Sequence, residues 1–402
     1  MPYLADRTGW AMAGSMVIAG FLNFLWAASY SDMIQIYPKC GCHYTYIRNS
    51  LGPIVGFFIG AGVLPVYIFS SPIFVFVWSM QTVINCPFWI IAVIYVAVVC
   101  LLSIRGIALA SIIAAMMFIT ECCIVIALSL NAIGVTWPRF TELFPNFLYP
   151  HHPFTFGSLM FASVLSVYNY IGFASITSLV EESSPKLISR AINWVLLIVT
   201  SVYLIGLIGL PLVWASHTDI AVSQTPFIDA AMILWDKYWP IGLLAVLLST
   251  FTCSLACINT GARMLYDMSR DGVVPKWLGK IHPSYKTPWS ALGFIAVIYV
   301  LCALAIPYVV ICELVVLVIL LAYMGVALSN LKANKNVKGF GGIIKSRVAP
   351  TLGIILALYL MVTASRIGWI YTLCWFGVVA LYGLYIYKTK PESLRKMDLS
   401  EM

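Results

Sequence analysis

The sequence predicts an all-α, polytopic membrane protein, and three observations lead there. Of its 402 residues, 62% are hydrophobic and only 9% are charged, and the mean hydropathy is +0.96. A soluble domain carries about 25% charged residues, so this much apolar surface needs lipid as its solvent. The apolar residues gather into runs of roughly 20, the length of helix that crosses a hydrocarbon core. The basic residues fall between those runs and divide unequally between the two sides.

In chain order the runs lie at 10–33, 54–80, 87–104, 107–133, 155–180, 191–214, 239–265, 289–306, 309–330, 348–365 and 368–387, which gives about eleven spans. The first follows eight mixed residues and is too long for the apolar region of a cleavable signal. The second carries Gly56-x-x-x-Gly60, a spacing that lets helices approach closely. The third is short, and the eighth and ninth are parted only by Ile306-Pro307-Tyr308. The fourth holds Glu121 near its middle. The fifth contains Tyr168-Asn-Tyr-Ile-Gly-Phe173, which is poor helix material at mid-depth. The longest stretches between runs, about 134–153, 215–238, 266–288 and 331–347, are loop-sized, so 1–402 reads as one membrane-embedded domain.

If the C-terminus is cytoplasmic and the spans alternate, only Arg7, Arg139, Lys237 and Arg366 of the 23 basic residues lie outside. The positive-inside rule then sets the orientation. Eleven alternations leave the N-terminus outside on a tail of fewer than ten residues, and a further helix before it is expected. The net charge of +8 therefore belongs to loops rather than to a basic face, and nucleic acid is not expected as a partner.

Ionisable groups inside a span cost on the order of 2.5–3.5 kcal/mol and are functional candidates. Glu121 is the deepest, either a working carboxyl or one held by a structural hydrogen bond to a neighbouring helix. Glu313 reads as a snorkelling interfacial carboxylate, and Asp32, Glu181 and Glu182 lie at cytoplasmic helix ends within reach of water. Asn169 and Gly172 at mid-depth point to an interrupted helix whose freed backbone groups bind a substrate. A continuous helix with Tyr and Asn bonded to its neighbours is the alternative.

The 11 cysteines are scattered. Cys40-x-Cys42 lacks a second pair, so the cysteines read as small hydrophobes rather than metal ligands. His151-His152 has no companion ligands, and no metal site is expected. Neither H-E-x-x-H, nor G-x-S-x-G, nor a P-loop is present, so no catalytic residue, cofactor or ATP hydrolysis is expected.

Three segments together resemble the amino acid–polyamine–organocation (APC) permease superfamily. Tyr37-Pro-Lys-Cys-Gly-Cys-His-Tyr-Thr-Tyr-Ile-Arg-Asn-Ser-Leu-Gly52 is similar to the family's P-[KR]-x-G-G-x-Y-x-Y loop, with Cys42 in place of the second glycine. Tyr170-Ile-Gly-Phe173 running to Glu181-Glu-Ser-Ser-Pro-Lys-Leu-Ile-Ser-Arg-Ala-Ile192 resembles its G-F…E-E…P…R-A-I segment. Asn259-Thr-Gly-Ala-Arg-Met-Leu-Tyr-Asp-Met-Ser-Arg-Asp-Gly-Val-Val-Pro275 resembles its R-x-L…R-D-G-x-x-P signature. Their order and spacing extend over nearly the whole chain.

The resemblance implies a leucine-transporter-type inverted repeat in which 10–33 matches the family's second helix and 155–180 its sixth. The chain then holds family helices 2 to 12, with an incomplete first repeat, a second repeat at approximately 154–331, and two last helices at approximately 348–387. It implies substrate contacts at the interrupted helix, on Tyr168, Asn169, Tyr170, Ile171, Gly172 and Phe173, and at Tyr67 near the cavity. Ala174 stands where many members carry an acid. Counting from Arg105-Gly106 puts Glu121 where some proton-driven relatives carry a lysine in place of a sodium ion, which makes it the candidate coupling residue. The family's first helix, with its Gly-rich break, has no counterpart before Gly9. Either the sequence starts at an internal methionine, or the product lacks half of its site.

The resemblance therefore implies a secondary active transporter of amino acids or related amines in the plasma or inner membrane, working by alternating access. Its expected partners are the small-molecule substrate, a proton or cation, and the lipid bilayer. The reading from a different class is a non-transporting, permease-derived subunit or sensor, or an inactive truncated form.

Overall fold

The described residues of each of the eleven apolar runs are largely helical in the computed structural model, which describes residues 12–68, 72–148, 156–214, 220, 222–334, 339–389 and 392. The stretch before Met12 and the pair His151-His152 lie outside the described residues. The helices are α1 (Met12–Ile36), α2 (Cys42–Leu51), α3 (Pro53–Ile68), α4 (Pro72–Gln81), α5 (Phe88–Ile104) and α6 (Ile107–Leu148). Next come α7 (Phe156–Val167), a 3₁₀ segment (Tyr168–Glu182), α8 (Pro185–Gly209), α9 (Pro226–Trp235) and α10 (Pro240–Arg270). The last are α11 (Trp289–Ala305), α12 (Tyr308–Ala333), α13 (Ala349–Thr363) and α14 (Arg366–Thr389). Among the described residues, eight helical stretches are long and apolar enough to cross a membrane, counting α3 with α4 as one and α13 with the helical turns at 340–348 before it, while α5 and α11 are shorter. The remaining run, the fifth, is α7 with the 3₁₀ segment and is divided between two helix types.

Three features depart from the sequence reading. Residues 134–148, expected as part of an outer loop, continue α6 as helix to a total of 42 residues. At 1.5 Å per residue that is about 63 Å, far more than a hydrocarbon core of about 30 Å. Hydropathy marks where lipid ends, not where backbone hydrogen bonding ends. The stretches at 37–53 and 215–238 hold the short helices α2 and α9. Asp32, expected in reach of water, is only 12% exposed; its carboxylate is paired with Lys345 at 2.6 Å and accepts the Ser346 hydroxyl at 2.7 Å.

The bundle is layered by burial. α1, α3 and α12 are the most enclosed spans, whereas α6 and α14 turn most of their surface outward. In lipid, helices associate through close packing rather than through a hydrophobic force between them, so small residues mark the contacts. The Gly56-x-x-x-Gly60 motif does this for α3 on α2. A Cβ at Gly56 would lie 2.5 Å from the Arg48 backbone, and one at Gly60 would lie 2.6 Å from the Tyr44 ring. The 3₁₀ segment sits at the centre and packs on α1, α2, α7, α8, α10 and α12.

Candidate functional site

The α-helical bonding of the fifth run stops after Val167, at the point the sequence predicts. Asn169 and Gly172 are weak helix formers, and the Asn169 amide donates to the Ser166 carbonyl at 3.4 Å, competing with the helix ladder. The expected gap, however, is not an open unwound stretch. The chain continues as 3₁₀ helix to Glu182. The 3₁₀ rise of about 2.0 Å stretches the 15 residues to about 30 Å.

In a 3₁₀ helix, residues three apart eclipse one another, which aligns Asn169, Gly172, Ser175 and Ser178 in one small, polar row. The row is accessible at Asn169 and Gly172, where a Cβ on Gly172 would meet nothing within 4 Å, and buried at Ser175 and Ser178. Tyr168 is half-buried, beside Cys253, Cys257, Tyr308 and Cys312. The other expected contacts turn their side chains into packing. The Tyr170 hydroxyl donates to the Met16 carbonyl at 3.3 Å, Ile171 is buried, and Phe173 packs edge-on against Tyr30. Tyr67 is fully buried with its hydroxyl on Nε2 of His43 at 2.8 Å, so it does not border the accessible row.

Tyr203 of α8 connects the row to Glu121. Its hydroxyl donates to the carbonyl of Asn169 at 3.1 Å, and Glu121, Cys253 and Tyr170 are among its ionisable neighbours. Glu121 is flanked by Ser249, yet its Oε2 is buried without a hydrogen-bond partner. An unpartnered carboxyl oxygen in a low-dielectric setting seeks a proton or a cation. The Glu313 carboxylate is different, because it accepts the Ser365 hydroxyl at 2.7 Å.

The row ends at a charged cluster. Arg263 of α10 is buried and binds both the Ser178 carbonyl and the Glu182 carboxylate. Glu181 accepts the Cys40 N–H at 3.1 Å. Arg48 pairs with Asp271, whose Oδ2 also accepts the Tyr44 hydroxyl at 2.6 Å. Thr45 donates to Asp267 at 2.6 Å. All three motif segments quoted from the sequence meet here, and together they cap one end of the 3₁₀ segment.

Sequence reasoning did not single out Tyr203, Arg263 or His43. Arg263 and His43 lie inside the quoted motifs, so their signal was position within a motif. Tyr203 is an amphipathic ring within an apolar run, which a span count passes over.

Residues 9–394 match the amino acid permease family. The branched-chain amino acid permease BcaP of Bacillus subtilis (strain 168) is 25% identical over 427 residues, covering 96% of this chain and 88% of that protein. The low-affinity putrescine importer PlaP of Escherichia coli (strain K12) is 26% identical, covering 65% of this chain and 60% of that one. The serine/threonine exchanger SteT of Bacillus subtilis (strain 168) is 24% identical, over 71% of this chain and 65% of that one.

Proposed function

The chain belongs to the amino acid permease family, and on that premise we propose a secondary active transporter that imports or exchanges amino acids or amines by alternating access. A multi-pass permease of this family is a transporter and not an enzyme. The finer statements, on coupling and on the site, are ours.

The observation that carries the reading is the junction at Tyr168. There the backbone changes from α to 3₁₀ bonding, the Asn169–Gly172 face is accessible, and Tyr203 links the Asn169 carbonyl to the vicinity of Glu121. A solute's ammonium group needs acceptors at mid-depth, and backbone carbonyls with a nearby carboxyl supply them. Tyr168, Asn169 and Gly172 form the open part of the proposed substrate site. Tyr170, Ile171 and Phe173 contribute backbone and shape, and Tyr67 contributes packing behind them. Glu121 is the proposed coupling residue, loading and releasing a proton as the site changes sides. The second repeat at approximately 154–331 and a cytoplasmic C-terminus in a plasma or inner membrane complete the proposal. Because relatives named for branched-chain amino acids, putrescine and serine or threonine all align, we assign the substrate class as amino acids and small amines.

The test is uptake into proteoliposomes holding the purified chain, with radiolabelled leucine, serine, threonine and putrescine, with and without an inward proton gradient. Gradient-dependent accumulation that a protonophore collapses is expected for at least one of them. Saturable binding with no flux under any gradient refutes the transport reading in favour of a permease-derived binding subunit.

A further inference from the structure

His43 is completely buried in the helix α2, which lies between two spans and is not itself one. Both ring nitrogens are engaged by tyrosines from different spans: Nδ1 by the Tyr30 hydroxyl of α1, and Nε2 by the Tyr67 hydroxyl of α3, at 2.8 Å. Tyr323 of α12 packs over the same imidazole. On the far side, the Tyr67 hydroxyl lies beside the thiol of Cys42, and that thiol donates to the Ala174 carbonyl of the 3₁₀ segment at 3.3 Å. The Thr177 hydroxyl donates to the same carbonyl at 2.7 Å and lies 3.0 Å from the same sulfur.

One arrangement uses every donor. Tyr30 gives its proton to Nδ1, the Nε2–H donates to Tyr67, Tyr67 donates to Cys42, and Cys42 donates to Ala174. That chain needs a neutral imidazole, with one donor and one acceptor nitrogen. A protonated ring has two donors and forces Tyr30 to turn its hydroxyl round. It also places a charge where nothing opposes it. The ionisable groups around the ring are Tyr30 from α1, Tyr67 from α3, Tyr323 from α12, and Cys42 and Tyr46 from α2 itself. The 3₁₀ segment contributes Phe173 and Ala174. The nearby carboxylates are committed elsewhere: Asp267 to Thr45, Glu181 to Cys40, and Glu182 to Arg263.

We propose that His43 is a proton-binding site that fastens α2 to α1 through Tyr30 when neutral and releases it when protonated. Burial pushes the imidazole down to about 3 in the fastened state, against 6.5 in water. The sign follows from linkage. The group's proton affinity is depressed by fastening, so the fastened state is at full strength above pH 6.5. It loses about tenfold in population per pH unit below that, down to about 3. Release frees the Tyr30 ring, which packs edge-on against Phe173 of the 3₁₀ segment, so His43 is a proton site separate from Glu121. The inference concerns conformation alone, and a chain that carries no solute would still show it.

Hydroxyl-radical footprinting of the full chain in lipid nanodiscs tests it without any substrate. Oxidation of Cys42 and Tyr67, normalised to exposed Tyr285, is expected to rise about tenfold from pH 7.5 to pH 5.5, and His43→Gln is expected to abolish that rise. Tyr30→Phe, which removes a partner and keeps the ring, is expected to raise oxidation at every pH while keeping the slope. A flat profile in the unaltered chain, an unchanged slope in His43→Gln, or a lost slope in Tyr30→Phe overturns the proposal.

Discussion

The hydroxyl of Tyr203 donates to the backbone carbonyl of Asn169 at 3.1 Å, so a residue of α8 holds the carbonyl that the sequence marks out for substrate. Removing that hydroxyl loses one neutral hydrogen bond, worth about 0.5–1.5 kcal/mol. Tyr203→Phe is therefore expected to change KM by roughly two- to tenfold, because the carbonyl is freed to move. Concentration-dependent uptake in proteoliposomes measures it. An unaltered KM and maximal rate would show that Tyr203 merely packs.

Glu121 carries the coupling part of the proposal. Its Oε2 has no partner, and Gln keeps the shape while removing the exchangeable proton. Glu121→Gln is expected to leave counterflow exchange intact and to flatten the pH dependence of net uptake between pH 5 and 8. Uptake by this variant that still follows the proton gradient would assign coupling to another group.

How much of this was legible beforehand depends on the kind of force involved. The eleven runs were readable because lipid imposes composition directly, residue by residue. The end of α7 was also readable, because Asn169 and Gly172 weaken the ladder through their own chemistry. What replaces the ladder was not, since 3₁₀ bonding is held by side chains from elsewhere: Tyr203 on Asn169, Cys42 on Ala174, and Arg263 on Ser178. Tyr67 could be placed near the centre, but its turn toward His43 depends on how α2 docks, and no local pattern encodes that docking.

Gly41 and Cys42, neighbours in the loop, differ in what they tolerate. A Cβ at Gly41 would collide with the Asp267 carboxylate and the Thr45 hydroxyl, whereas Cys42 already stands in the left-handed region with φ of 52°. Gly41→Ala is expected to cost about 1–3 kcal/mol by overpacking. Cys42→Gly relieves about 1–2 kcal/mol of backbone strain but gives up a buried side chain and the thiol's contacts with Tyr67, Ala174 and Thr177, so the two effects offset. Thermal unfolding in detergent should therefore fall by several degrees for the first and change less for the second. The reverse order would contradict the packing described.

Arg263 is buried while its partner Glu182 keeps 48% of its side-chain surface in contact with solvent, so the arginine has more to lose. Its bonds to the Ser178 carbonyl and to Glu182 fasten the end of the 3₁₀ segment. Arg263→Ala is expected to destabilise by about 1.5–3 kcal/mol, and Arg263→Lys to recover only part of that, because a lysine lacks the planar fork that reaches two acceptors. Equal stability of Lys and Arg at this position, by chemical denaturation, would argue against a forked contact.

Cys253 decides whether the accessible face of the 3₁₀ segment meets water or lipid. Cys253 is an exposed residue whose thiol lies beside Cys257 and near Tyr168, Tyr203 and Glu121, while Cys374 on α14 is exposed on the outside of the bundle. A thiol reacts with maleimides as thiolate, and hydrocarbon suppresses thiolate formation. In a water-filled recess, Cys253 is therefore expected to react with a water-soluble maleimide, while Cys374 stays unmodified. A saturating concentration of a transported amino acid should slow the reaction at Cys253 severalfold by filling the space beside Asn169. Mass spectrometry of the labelled peptides reads both sites in one sample. If Cys253 proves as inert as Cys374, the face at Asn169 and Gly172 lies against lipid tails, and a polar solute has no route to the row.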